Sequence, residues 1–158
     1  RLAEGYPEEE ILRSIYAKGR DNARTPMQWN GQENAGFTTG TPWLPVNPNY
    51  KTINAEAALA DPDSVFWYYK KLIALRKEYP VFVEGDFTLL EEEHPSLFVY
   101  RRSTENEQIL VVCNFSGTDV SWNLPADWNT AEMLIGNYPD RMQSVLRPWE
   151  AMILYRVL

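Results

Sequence analysis

The feature that most constrains this chain is a change of hydrophobic period at Gly85. Before it, apolar residues recur every three to four positions, as the buried stripe of a helix requires. After it they alternate at every second position, as a strand with one buried face requires. The two periods do not share a layer, so a helical region followed by a separate all-β region is predicted, with the boundary near residue 84. The β region holds seven short runs, at 87–90, 97–101, 109–115, 120–124, 131–134, 144–146 and 151–157. Turn material such as His94-Pro95, Ser116-Gly117 and Gly136-Asn137 separates them. That spacing predicts an antiparallel β-sandwich over 85–158, with the continuously apolar run 109–113 in a central strand.

Upstream, residues 7–18 read as a helix: Pro7 suits the first turn, Glu8 to Glu10 complement the positive end, and Gly19 stops it. Ile11, Leu12, Ile15 and Tyr16 form its stripe. Helix returns at 54–59 and at 63–78, where Val65, Phe66, Tyr69, Leu72 and Ile73 share one face and Asp61-Pro62-Asp63-Ser64 supplies caps. Pro80 blocks continuation. Residues 19–54 have no period, yet carry Trp29, Phe37, Trp43 and Tyr50. Flexible linkers lack large rings, so this segment is expected to be an ordered functional loop packed by its own side chains.

Several classes are disfavoured. At 158 residues the chain is too short for a closed (β/α)₈ barrel, which takes about 250. No apolar run reaches the roughly 20 residues of a membrane span, and a net charge of −7 argues against nucleic acid. The single cysteine, Cys113, excludes an internal disulfide and a cysteine-based zinc site, and points to a reducing compartment. The chain opens at Arg1 with no Met and no leader pattern, and is read as a piece of a longer polypeptide.

The densest polar constellation is Arg20-Asp21-Asn22-Ala23-Arg24. The residues alone admit two readings: an Arg–Asp pair that pins a loop, or a ligand site in which planar guanidinium donors grip vicinal hydroxyls beside an aromatic wall. Elsewhere, Glu91-Glu92-Glu93 reads as a solvated rim, Asp61 and Asp63 as helix caps, His94 as a turn residue, and Cys113 as a small hydrophobe with an inert thiol.

The segments GRDNARTPMQW (19–29), AGFTTGTPW (35–43), VNPNY (46–50) and DPDSVFWYYKKLIALRKEYP (61–80) together resemble the C-terminal end of α-glucosidases of the α-amylase superfamily, glycoside hydrolase family 13. The likeness is to the oligo-1,6-glucosidase (isomaltase) group, with trehalose-6-phosphate hydrolase a near relative, and it runs from about residue 7 to 84 before weakening through the β region. It implies an α+β fragment: residues 1–84 as the last loop and helix of a (β/α)₈ barrel, and 85–158 as the β-sandwich C-terminal domain. It further implies hydrolysis of terminal α-glucosidic bonds of small oligosaccharides, without a cofactor, in the cytoplasm. Arg20 takes the place of the family arginine that helps hold the non-reducing glucose, while Asp21 and Arg24 orient it. Gln28, Trp29, Phe37 and Trp43 look like packing in the wall of the pocket. Asn30 stands where many relatives have an acid, which puts only a surface contact in question. The nucleophile, the acid/base and the third family acid lie on earlier barrel strands, so the chain contains no catalytic residue and is expected to be inactive alone.

Two other outcomes follow from the residues. Trp122, Trp128 and Trp149 would make a stand-alone carbohydrate-binding sandwich if two of the rings lie open and coplanar. The 63–78 helix, lacking the barrel it would lie against, is expected to fold onto the sandwich or to self-associate.

Overall fold

The computed structural model describes every residue except the side chain of Asn22. The chain forms two compact units, Arg1–Tyr68 and Tyr69–Leu158.

In the first unit, α1 (Glu8–Lys18) starts after Pro7 and ends at Gly19, as its sequence dictates. α2 (Ala55–Ala60) is capped by Asn54, whose side chain accepts from Ala57 N at 2.8 Å. α3 (Val65–Glu78) begins here and continues into the second unit. Asp61 Oδ1 accepts from Asp63 N at 3.0 Å, and Ser64 Oγ donates to Ala58 O at 2.6 Å, which fixes the turn between α2 and α3. Among the described residues of this unit only Pro26 and Ala35 are buried. Both helical stripes lie open: Tyr16 is 82% exposed, Val65 82% and Tyr69 of the same α3 face 64%.

The second unit contains all seven expected strands. They are β1 (Asp86–Leu90), β2 (Leu97–Ser103), β3 (Glu107–Asn114), β4 (Val120–Ser121), β5 (Glu132–Gly136), β6 (Val145–Leu146) and β7 (Ala151–Val157). β1-β2-β3-β7-β5 form an antiparallel sheet, and β4 pairs with β6 in a second, two-stranded one. Because side chains alternate, Leu97 and Val99 of β2, Leu110 and Val112 of β3, and Met152 and Leu154 of β7 share one face. That face packs with Leu124, Trp128, Ala131 and Leu146 into the main core, with Val120 and Trp122 against it. This is the expected sandwich, built from unequal layers.

Ahead of β1, the short helix α4 (Val81–Glu84) is tied to the opposite face of the large sheet. Val81 is fully buried and its N–H donates to Glu107 Oε1 at 3.1 Å, while Glu107 Oε2 accepts from Tyr155 O–H at 3.0 Å. The Arg102 guanidinium donates to the carbonyls of Val83 (3.0 Å) and Gly85 (2.8 Å). Gly85 is required there, since a Cβ would stand 2.7 Å from Val81 O.

Candidate functional site

The sequence places its candidate residues on the segment that leaves α1. The backbone turns once in a 3₁₀ helix over Asp21–Ala23, with Ala23 N donating to Arg20 O and Arg24 N to Asp21 O, each at 3.0 Å. Arg20, Asp21 and Arg24 are all exposed. None of the ion pairs formed by described residues involves any of the three. Among the described residues no Arg–Asp pair pins the loop.

Asp21 lines a groove of about 390 Å³ with Thr25, Leu44, Pro45, Val46, Asn47 and Pro48. The lining combines aliphatic and proline carbons with a carboxylate, a hydroxyl and an amide. Asp21 is the one carboxylate among these lining residues. Retaining glycoside cleavage needs two carboxyls about 5 Å apart, and this groove presents one. Among the described residues, no group of three or more His, Cys, Asp or Glu side chains could hold a metal ion.

The expectation that rings pack this loop is corrected. Trp43 is 95% exposed, Trp29 53% and Phe37 49%. Amide side chains and backbone hydrogen bonds hold the loop instead. Gln28 Nε2 donates to Asn49 Oδ1 at 3.0 Å and to Ile53 O, and Asn54 Nδ2 donates to Tyr50 O at 2.8 Å. Ala55 N donates to Gln28 O and Glu56 N to Trp29 O, at 2.9 and 3.0 Å. These bonds hold the TPMQW stretch against the start of α2. The amides were visible in the sequence, but nothing local says which carbonyl each one reaches.

A second device is a run of left-handed backbone: Asn34 (φ 51), Ala35 (φ 58) and Gly36 (φ 66). Two of these residues have a Cβ, so the conformation costs on the order of 1–2 kcal/mol each and must be held by its surroundings. Ala35 O accepts from both Trp29 N (2.9 Å) and Asn30 N (3.2 Å), and Asn34 Nδ2 reaches Thr38 O and Gly40 O at 3.3 and 3.1 Å. A Cβ on Gly36 would lie 2.7 Å from the Asn30 amide, whose Oδ1 accepts from Gln32 N at 3.0 Å. Asn30 is therefore part of the turn's packing and not a surface contact.

The remaining candidates resolve as follows. His94 Nδ1 accepts from Ser96 N (3.2 Å) and Leu97 N (3.1 Å), a turn role. Glu91 is more than solvated rim: it adopts φ 53 and its carboxylate accepts from Trp122 Nε1 at 3.0 Å. Cys113 is half-buried, and burial pushes its thiol pKa up. Of the three sandwich tryptophans, Trp128 is 3% exposed beneath the Arg156 guanidinium, Trp122 is half-buried and Trp149 is 61% exposed. A binding face built from two open rings is not present among them.

Comparison with known proteins finds two family matches along the chain. Residues 3–85 match the family described as "Alpha amylase, catalytic domain", and residues 87–153 match "Maltogenic Amylase, C-terminal domain". The chain is 51% identical over 156 residues to an oligo-1,6-glucosidase of Parageobacillus thermoglucosidasius, covering 94% of this chain and 28% of that protein. It is 45% identical to a trehalose-6-phosphate hydrolase of Bacillus subtilis (strain 168), over 97% of this chain and 28% of the relative. The crystal structure of Bacillus licheniformis trehalose-6-phosphate hydrolase superimposes with a TM-score of 0.86 at 46% identity, covering 98% of this chain and 29% of that one. The chain thus spans less than a third of the length of these relatives.

Proposed function

The chain belongs to the alpha-amylase family, and from that premise we propose that it is the C-terminal portion of a retaining α-glucosidase of the oligo-1,6-glucosidase type. In this reading residues 1–84 complete the catalytic barrel and 85–158 are its C-terminal domain. Arg20 holds the terminal glucose of a small oligosaccharide, and Asp21 and Arg24 keep it oriented. The observation that carries this reading is the exposed, ion-pair-free Arg20-Asp21-Arg24 turn beside a groove that combines carbon surface with polar groups. A fixed guanidinium fork converts binding of two hydroxyls into orientation of the bond to be cut, which is where such a residue contributes to rate. The cutting carboxylates come from polypeptide that these 158 residues do not contain. Linkage preference, including the phosphorylated α-1,1 substrate of the trehalose-6-phosphate hydrolase alternative, is set there too. The same reading assigns the protein to carbohydrate metabolism in the cytoplasm, in keeping with its single cysteine; among the described residues no helix is long and apolar enough to cross a membrane.

The test is a chimera in which the part of the Parageobacillus oligo-1,6-glucosidase not covered by this chain is joined ahead of Arg1. The chimera should hydrolyse isomaltose, and the 158-residue chain alone should not. Arg20→Ala should lower kcat/KM by about a hundredfold or more, and Arg20→Lys should fail to restore it because an ammonium lacks the fork. A loss of less than about threefold contradicts a positioning role for Arg20.

A further inference from the structure

Asn30-Gly31 is the single Asn-Gly step among the eleven asparagines of the chain. An asparagine amide carbon lies within covalent reach of the next residue's main-chain nitrogen, and only glycine leaves that nitrogen without a side chain beside it. At the other ten asparagines the following residue carries a side chain or, after Asn47, is a proline with no N–H. Glycine is not demanded at 31 by the backbone. Its φ is not positive, and a Cβ there would meet nothing closer than Lys51 O at 3.6 Å.

The fold adds two features to this covalent arrangement. The Gln32 N–H donates to Asn30 Oδ1 at 3.0 Å. That bond closes a ring through the 30–31 peptide and places a donor on the oxygen where charge develops when a nucleophile adds to Cγ. Among the hydrogen bonds of the described residues, none is donated by the Gly31 N–H or by Asn30 Nδ2, so neither the attacking nitrogen nor the leaving group is tied down. Asn34, Asn54, Asn114 and Asn137 differ, because each commits its Nδ2 to a main-chain carbonyl. Gly31 is exposed and Asn30 half-buried, so water reaches both.

We propose that Asn30 is a self-modification site, converted in the folded chain to aspartyl and isoaspartyl residues through a cyclic imide with Gly31. The Gly31 nitrogen gives up its proton to hydroxide and attacks Asn30 Cγ, forming the N–Cγ bond. The Cγ–Nδ2 bond then breaks, and Nδ2 takes a proton from water and leaves as ammonia. Water opens the ring at either carbonyl, so the net change is amide plus water to acid plus ammonia. Both products put a negative charge where the amide stood. The isoaspartyl form also lengthens the main chain by one atom between the Trp29 and Asn30 N–H groups and their shared acceptor, Ala35 O, which loosens the left-handed turn they hold. The reaction needs neither sugar nor the missing catalytic carboxylates, so the 158-residue chain by itself tests it.

The chain is incubated in warm, mildly alkaline buffer, and its tryptic peptide 25–51 is sequenced by mass spectrometry against a sample digested at time zero. Conversion should be confined to Asn30, include an isoaspartyl product, and run at least as fast as in a synthetic 25–51 peptide. Gly31→Ala should slow it about tenfold or more and leave the urea midpoint unchanged. Gln32→Pro, which removes the N–H on Oδ1 at a φ of −78° that proline accepts, should also slow it. Asn30 left intact in the folded chain, or converted far more slowly than in the free peptide, overturns the proposal. Conversion that both variants leave unchanged, or that falls equally on Asn34, Asn47 and Asn49, overturns it as well.

Discussion

The two units order themselves by opposite means. Tyr69–Leu158 buries a continuous apolar core in which Leu110, Val112 and Leu154 are fully inaccessible. Arg1–Tyr68 buries only Pro26 and Ala35 among its described residues, and leaves Tyr16, Trp43 and Val65 in the open. Its longest segment is fixed by Gln28, Asn34 and Asn54 reaching backbone carbonyls. A core confers stability by area removed from water, which is cooperative and tolerant of detail. Polar pinning contributes about 1 kcal/mol per bond but sets position to a fraction of an ångström. The candidate sugar contacts sit in the second kind of structure, where loop geometry matters more than local stability.

The largest expected effect separates the units directly. Leu154→Ala should cost about 4 kcal/mol in urea unfolding, whereas Val65→Ala, at an 82% exposed site, should change stability by less than about 0.5 kcal/mol. Equal costs would break the comparison. Next comes the polar exception inside the core unit. Glu150 is 2% exposed and receives Arg147 through N–H at 2.7 Å and through both Nε (3.1 Å) and Nη2 (2.7 Å). Glu150→Ala removes the buried partner of the Arg147 backbone N–H, Nε and Nη2, leaving the guanidinium its bonds to Asp140, and should cost about 3 kcal/mol, while Glu150→Gln, which keeps the backbone bond, should cost less. A smaller effect of opposite sign is expected beside it. Trp149 is held at φ 57 with its ring 61% exposed, so Trp149→Gly should raise stability by about 1 kcal/mol, read as a higher melting temperature.

The smallest effect is electrostatic. A hydrogen bond from Arg147, together with its charge, holds the exposed Asp140 carboxyl below the ordinary carboxylate range. A lowered folded-state pKa means a contribution that is present above the ordinary value and is lost as pH falls through the lowered one. Urea midpoints should therefore decline more between about pH 5 and about pH 2 in the parent than in Asp140→Asn, by a margin that high salt shrinks.

Much of the fold was legible because its signals are local. The strands follow from alternation, and β7 appears at 151–157 as predicted because one face of it must be apolar throughout. The helix starts at Pro7 and Asn54 follow from orphaned N–H groups that those positions satisfy or avoid. Strand 109–115 is displaced to Glu107–Asn114, since Glu107 pairs with Val157 and reaches Val81, partners that lie far along the chain. The candidate site divides in the same way. That Arg20, Asp21 and Arg24 belong to one turn could be read from their spacing, but that none of them pairs with another could not.

The sequence by itself determined which strands and main helices exist, to within a few residues at their ends, and which polar residues could grip a hydroxylated ligand, because these depend on neighbours within a few residues. Only the tertiary structure decided that β7 inserts between β3 and β5, that Ala35 is forced left-handed by two N–H groups bonded to its carbonyl, and that the loop rings stay uncovered. Those outcomes depend on which distant group competes best for each carbonyl and each apolar surface, a contest settled by the whole set of contacts and not by any single stretch of chain.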